Sequence, residues 1–70
     1  MKNKNQEFDE DVLKKDIFEL TKKSRVVTTS EIAEAMNISW NTAEKYLLNI
    51  ALEGKVERMK KAGVNLWVIK

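Results

Sequence analysis

The chain contains neither cysteine nor histidine, and those two absences remove several chemistries at once. Disulfide staples are excluded, and so are the usual zinc ligand sets. Proline is absent and glycine occurs only at Gly54 and Gly63, so the sequence carries no proline-rich or glycine-rich linker, no repeat and no low-complexity segment. No long apolar run follows the lysines of the opening "MKNKNQEFDEDV", which therefore resembles neither a signal peptide nor a membrane span. The default expectation is an intracellular protein, cytoplasmic in a prokaryote. At 70 residues the chain is one small domain. Its core of aliphatics and a few aromatics is expected to supply only about 3–5 kcal/mol net.

What the chain has in abundance is charge, and of both signs. Thirteen basic residues stand against eleven acidic ones, so the net charge says little and its distribution says more. Residues 1–24 hold six of each sign. Residues 25–54 set Arg25 and Lys45 against Glu31, Glu34, Glu44 and Glu53. Residues 55–70 set Lys55, Arg58, Lys60, Lys61 and Lys70 against Glu57 alone. The basic excess lies at the C-terminal end.

After Met1, residues 2–7 lack apolar content, and residues 1–7 are expected to form a tail, with a single domain over 8–70. A first helix should begin near Phe8 or Asp9. Acidic Asp9, Glu10 and Asp11 suit its first turn, and Lys22 and Lys23 suit its last. Leu13, Ile17 and Leu20 give it one apolar stripe, which Val12 and Phe18 widen. The β-branched "RVVTT" at 25–29 reads as a short strand, near 26–28, or as an extended connector. A second helix opens at "TTSEIAEAM", capped by Thr29 or Ser30. It breaks at "MNIS", where Asn37 tolerates a left-handed turn, Ile38 fills the corner and Ser39 caps a third helix. On that helix, 40–53, Ala43, Leu47, Ile50 and Ala51 form a buried stripe, and Gly54 provides the stop. Beyond it, "KVERMK" and "NLWVIK" read as two strands around a turn at Gly63. The expected fold is α+β and mainly α, with three helices and a C-terminal β-hairpin.

The stretch "TTSEIAEAMNISWNTAEKYLLNIALEGKVER" resembles the winged helix-turn-helix family, in particular small prokaryotic and archaeal transcription regulators. The resemblance rests on the polar cap at Thr29/Ser30, the pair Ile32–Ala33 and the turn residue Asn37. It continues through Ile38–Ser39, Thr42, Leu47, Ile50 and Gly54, and covers roughly residues 12–70. It implies double-stranded DNA as the partner, with the start of helix 40–53 in the major groove and the basic hairpin 55–70 as a wing on the phosphate backbone. The positions it implies for DNA contact are Ser39, Trp40, Asn41, Thr42, Lys45 and Tyr46 on the helix, and Lys55, Arg58, Lys60 and Lys61 on the wing.

The chemistry of those residues fits such roles. Asn41 can pair with an adenine edge, and Thr42 can touch a thymine methyl or a phosphate. Ser39 and the helix-start amides form a phosphate seat, and Lys45 and Tyr46 reach toward the backbone. A basic hairpin beside a helix-turn-helix suits phosphates or the minor groove. Four neutralised phosphates would give a log–log salt slope of about −4. Each residue also has a plainer reading. Asn41 and Thr42 are ordinary first-turn residues, Lys45 is a surface lysine, and wing lysines also discourage edge pairing. Glu44 on the polar face opposes phosphate binding. Trp40 has three readings: core edge, which we place first, a stack on a sugar or base, or an anchor for a protein.

A second function is a protein-interaction winged helix, with Trp40, Tyr46 and Leu48 as an apolar patch. A homodimer reading two half-sites is a further expectation, with Leu48, Leu52, Trp67 or the first helix as its contact; ordinary core is the plainer reading of each, and for Trp67 and the first helix it is placed first. For an enzyme, general-base work would fall to carboxylates or lysines, and no pattern places these in a pocket. No cofactor, metal, membrane or small-molecule ligand is expected.

Overall fold

The computed structural model describes residues 10–70. Its elements run α1 (Glu10–Ser24), β1 (Val26–Thr28), α2 (Thr29–Met36), α3 (Trp40–Leu52), β2 (Val56–Lys61) and β3 (Val64–Ile69). The expected tail at 1–7 and the expected helix start at Phe8 or Asp9 lie outside the described residues. "RVVTT" resolves to a strand. Val26–Thr28 pairs antiparallel with β3, so the sheet has the order β1-β3-β2. Three helices and a three-stranded antiparallel sheet ending in a hairpin give the mainly helical α+β fold expected from the pattern.

The local stops are made by left-handed residues. Asn37 closes α2 at φ 57°, and the Asn37 and Ile38 amides bond back to the Glu34 and Ala33 carbonyls. Gly54 repeats the arrangement after α3 at φ 81°, with the Gly54 and Lys55 amides on the Ala51 and Ile50 carbonyls. These six-to-one and five-to-two bonds satisfy carbonyls that a bare helix end would leave unpaired. Ser39 caps α3 as expected, its Oγ accepting from the Thr42 amide at 3.1 Å.

The start of α2 differs from expectation. Its cap is Thr28, one residue before the expected Thr29 or Ser30. Thr28 Oγ1 accepts from the Glu31 amide at 3.0 Å, and the Glu31 carboxylate accepts from the Thr28 amide at 2.9 Å. This reciprocal box requires a Thr–Glu spacing of three, which only Thr28 has with Glu31. Thr29 is thereby drawn inside the helix and buried.

Ile17, Val27, Ile32, Leu47, Ile50, Val56 and Trp67 make the core where the three helices meet one face of the sheet. One expectation fails here. Val12 remains 52 % exposed, so the α1 stripe is narrower than expected and runs through Leu13, Ile17 and Leu20. Trp67, for which core was placed ahead of a dimer contact, is fully buried and belongs to the core.

Candidate nucleic-acid interface

The buried stripe of α3 comprises Ala43, Tyr46, Leu47 and Ile50. At 100° per residue, the direction opposite that stripe carries Asn41, Lys45, Leu48 and Leu52, and all four are exposed. The first half of the exposed stripe is polar and the second half apolar. Leu48 is 37 % and Leu52 85 % exposed.

Tyr46 is the clearest correction among the expected contacts. It is only 5 % exposed and belongs to the core, so it cannot lie along a DNA backbone. Its angular position, about 40° from Ile50, keeps it within the buried stripe. The neighbouring Lys45 stays outside, with its Nζ 5.5 Å from the Tyr46 ring centroid. Trp40 departs in the opposite sense. It is 48 % exposed, so it is not the core-edge residue placed first among its readings. Asn41 is exposed and Thr42 half-buried. The Ser39 hydroxyl donates to Thr42 Oγ1 at 2.8 Å while it caps the helix, so both hydroxyls are engaged with each other.

The four cationic wing residues do not share one face. Residues paired across antiparallel strands point to the same side of a sheet. Val56 and Trp67 are buried against the helices, and Arg58 pairs with Trp67 and Lys60 with Asn65. Arg58 and Lys60 therefore emerge on the helix side of β2. Glu57 and Lys61, one step out of phase, emerge on the far side. The only acidic residue of the wing is thus turned away from Arg58 and Lys60. A cleft between the starts of α2 and α3 and the hairpin brings Lys60 and Trp40 together, with Thr28, Ser30 and Asn65 along its walls.

Lys55 lies elsewhere. It follows the C-terminal end of α3, about 20 Å along the helix from Trp40. Its Nζ is 3.5 Å from Glu53 and 5.3 Å from the Phe18 ring centroid. Lys14 also pairs with Glu53, and its hydrogen bond is the main reason the Glu53 carboxyl sits below its ordinary pKa. Lys55 thus joins an α1–α3 charge cluster, not the surface around Trp40 and Lys60.

Glu44 was expected on the polar face as an obstacle to phosphate. Instead it is half-buried and folded back toward the sheet. Its Oε1 accepts from Thr29 Oγ1 at 2.8 Å, and its Oε2 accepts from Asn65 Nδ2 at 3.1 Å. Thr29 Oγ1 in turn accepts from the buried Trp67 Nε1 at 2.8 Å. One chain of hydrogen bonds therefore ties α2, α3 and β3 together. Thr29 and Asn65 were missed as positioning residues. The indole of a buried tryptophan needs an acceptor, and that need was the available signal.

The sequence model of the FaeA-like protein family matches residues 13–70. The chain belongs to the FaeA-like family. Its helices and hairpin are compatible with a winged helix of the regulator type. Comparison with curated proteins and with solved structures found no match. Among the described residues, no helix of this FaeA-like chain is long and apolar enough to cross a membrane, and no cluster of acidic side chains could hold a metal ion.

Proposed function

We propose that this FaeA-like chain is a double-stranded-DNA-binding transcription regulator. The first turns of α3 enter the major groove, where Asn41 reads a base edge and Lys45 meets the backbone. Arg58 and Lys60 approach the flanking phosphates from the wing, and Trp40 lies against the sugar–phosphate surface between them. Binding requires no cofactor and no catalysis. The observation that carries this reading is the alternation along β2, which directs Arg58 and Lys60 to the α3 side and Glu57 to the other. The withdrawal of the Glu44 carboxylate onto Thr29 and Asn65 removes the main electrostatic objection.

Anisotropy titration of the full chain against random duplex tests the proposal. With Lys45, Arg58 and Lys60 on phosphates, affinity falls with salt at a log–log slope of about −3. Arg58→Glu with Lys60→Glu should abolish binding. No salt-sensitive binding of the parent chain at low ionic strength would refute the proposal.

A second reading is a module that docks on another protein, and the exposure of Leu48, Leu52 and Trp40 favours it. Tyr46 drops out of that patch because it is buried. Under this reading Leu48→Ser with Leu52→Ser removes function while the double charge reversal on the wing leaves it intact.

A further inference from the structure

The helices cover one face of the sheet. Among the described residues the other face is bare, and it is mostly apolar. Val26, Met59 and Val64 are 44 %, 52 % and 47 % exposed. Register places Leu66 and Val68 beside them, because Leu66 pairs with Met59 and Val68 with Val26. Leu66 and Val68 are half-buried but are not among the side chains packed against the core, whereas Ile69, on the opposite face, is. Within the paired strands the charges on this face are Glu57 and Lys61, at either side of Met59 on β2, and exposed Lys70 follows one step beyond β3 in phase with Val68.

We propose that this outer sheet face is the contact surface for a second copy of the chain. The order of charges argues for a copy of the same chain over any other occupant. Along β2 the outward side chains read acidic, apolar, basic, with the two charges about 14 Å apart. Such a row complements itself when reversed. A two-fold axis lying across the strands through Met59 and Leu66 stacks each of these on its own counterpart. It also sets Glu57 over Lys61 of the second copy, and Val68 over Val64, at the ~10 Å spacing of packed sheets. An isologous interface requires this self-complementarity. A polyanion is a poor occupant, because Glu57 stands within the face and the side chains between the charges are apolar.

Pairing of the copies edge to edge along β2 would also join Glu57 to Lys61. However, it would set Arg58 directly opposite Lys60 on the other face, a like-charge cross-strand pair that is unfavourable. Stacking face to face avoids that contact. The face offers about eight residues per copy, against roughly 20–30 in a standard interface. The association is therefore weak and depends on concentration.

Sedimentation equilibrium of the full chain without DNA, from low micromolar to about millimolar concentration, tests the proposal independently of the DNA-binding reading. The parent chain dimerises reversibly across that range. Glu57→Lys alone and Lys61→Glu alone each raise the dissociation constant roughly tenfold or more. An equimolar mixture of the two variants recovers dimerisation, because each lysine pair then faces a glutamate pair. Val64→Glu, at an exposed β3 position that edge pairing would not touch, also prevents dimerisation while far-UV circular dichroism stays unchanged. The proposal is overturned by a parent chain that stays monomeric throughout. It is equally overturned if the single charge variants associate as well as the parent, if their mixture associates no better than either alone, or if Val64→Glu still dimerises.

Discussion

Thr29→Val isolates the hydrogen-bond chain that holds α3 against the sheet. Valine has nearly the shape of threonine, so packing changes little, and the two have similar helix propensity. What is lost is the hydroxyl. Trp67 Nε1, on a side chain with 0 % exposure, loses its 2.8 Å acceptor, and Glu44 loses one of its two donors. Leaving a buried donor unpaired costs about 1–3 kcal/mol. Glu44 is half-buried, keeps Asn65 and regains water, so it adds less. A loss of about 2 kcal/mol should lower the Tm by roughly 8–16 °C in a domain of this size.

Thr29→Ser separates the hydroxyl from the methyl. It keeps the acceptor and loses one buried carbon, worth about 0.8 kcal/mol. Urea and thermal unfolding followed by circular dichroism give both values. The decisive measurement is a double-mutant cycle with Trp67→Phe, which removes the donor. If the bond between Trp67 and Thr29 stabilises the fold, Thr29→Val should cost at least about 1 kcal/mol less in the Trp67→Phe background. Additivity within about 0.5 kcal/mol would refute the reasoning. The Trp67 indole N–H resonance should shift in Thr29→Val and hold its place in Thr29→Ser.

Three other outcomes follow from the same geometry. Asn41→Ala should weaken binding to a selected site by about 1–3 kcal/mol and binding to random duplex far less, whereas Arg58→Ala should weaken both alike; competition titrations on the two DNAs measure this. Ala62 holds a left-handed conformation at φ 53° in the two-residue hairpin turn with Gly63, so Ala62→Asn should raise stability by about 0.5–1 kcal/mol, read from the urea midpoint. Lys14 holds the Glu53 carboxyl below its ordinary value of 4.5, so its stabilisation is present above that pH and lost as pH falls through the lower folded value. Glu53→Gln should therefore flatten the acid side of the stability profile, and an unchanged acid slope would exclude the Lys14 contact in solution.

The elements governed by spacing were legible in the sequence. Ile17, Leu47 and Ile50 recur at helical intervals, and Asn37, Ser39 and Gly54 sit where only a few residue types meet the backbone requirement. The site was less legible, because its composition depends on contacts distant in sequence. Glu44 looked like a groove-facing carboxylate until Asn65, 21 positions later, supplied a donor. Trp40 and Tyr46 exchanged roles, since helical phase alone does not define how wide the buried stripe is. The wing lysines could be counted from the sequence. Their division between two faces required the strand register, because a shift of one residue reverses every side chain.

The division of the exposed α3 stripe sets a limit on how deep the proposed docking can be. Leu48 lies about 10 Å and Leu52 about 16 Å along the helix from Asn41. The major groove is roughly 8.5 Å deep, so a helix entering by its N-terminal end has its second half outside. Leu52, already 85 % exposed in the free chain, would gain no cover from DNA. Leu52→Ser should therefore leave random-duplex affinity within about a factor of two, while Lys45→Ala should reduce both that affinity and the magnitude of the salt slope, the latter by about 1. If instead Leu52→Ser weakens DNA binding as much as Lys45→Ala, then α3 lies lengthwise along the groove. The apolar half of the stripe would then face the duplex, and Leu48 and Leu52 would not be available to a protein partner while DNA is bound.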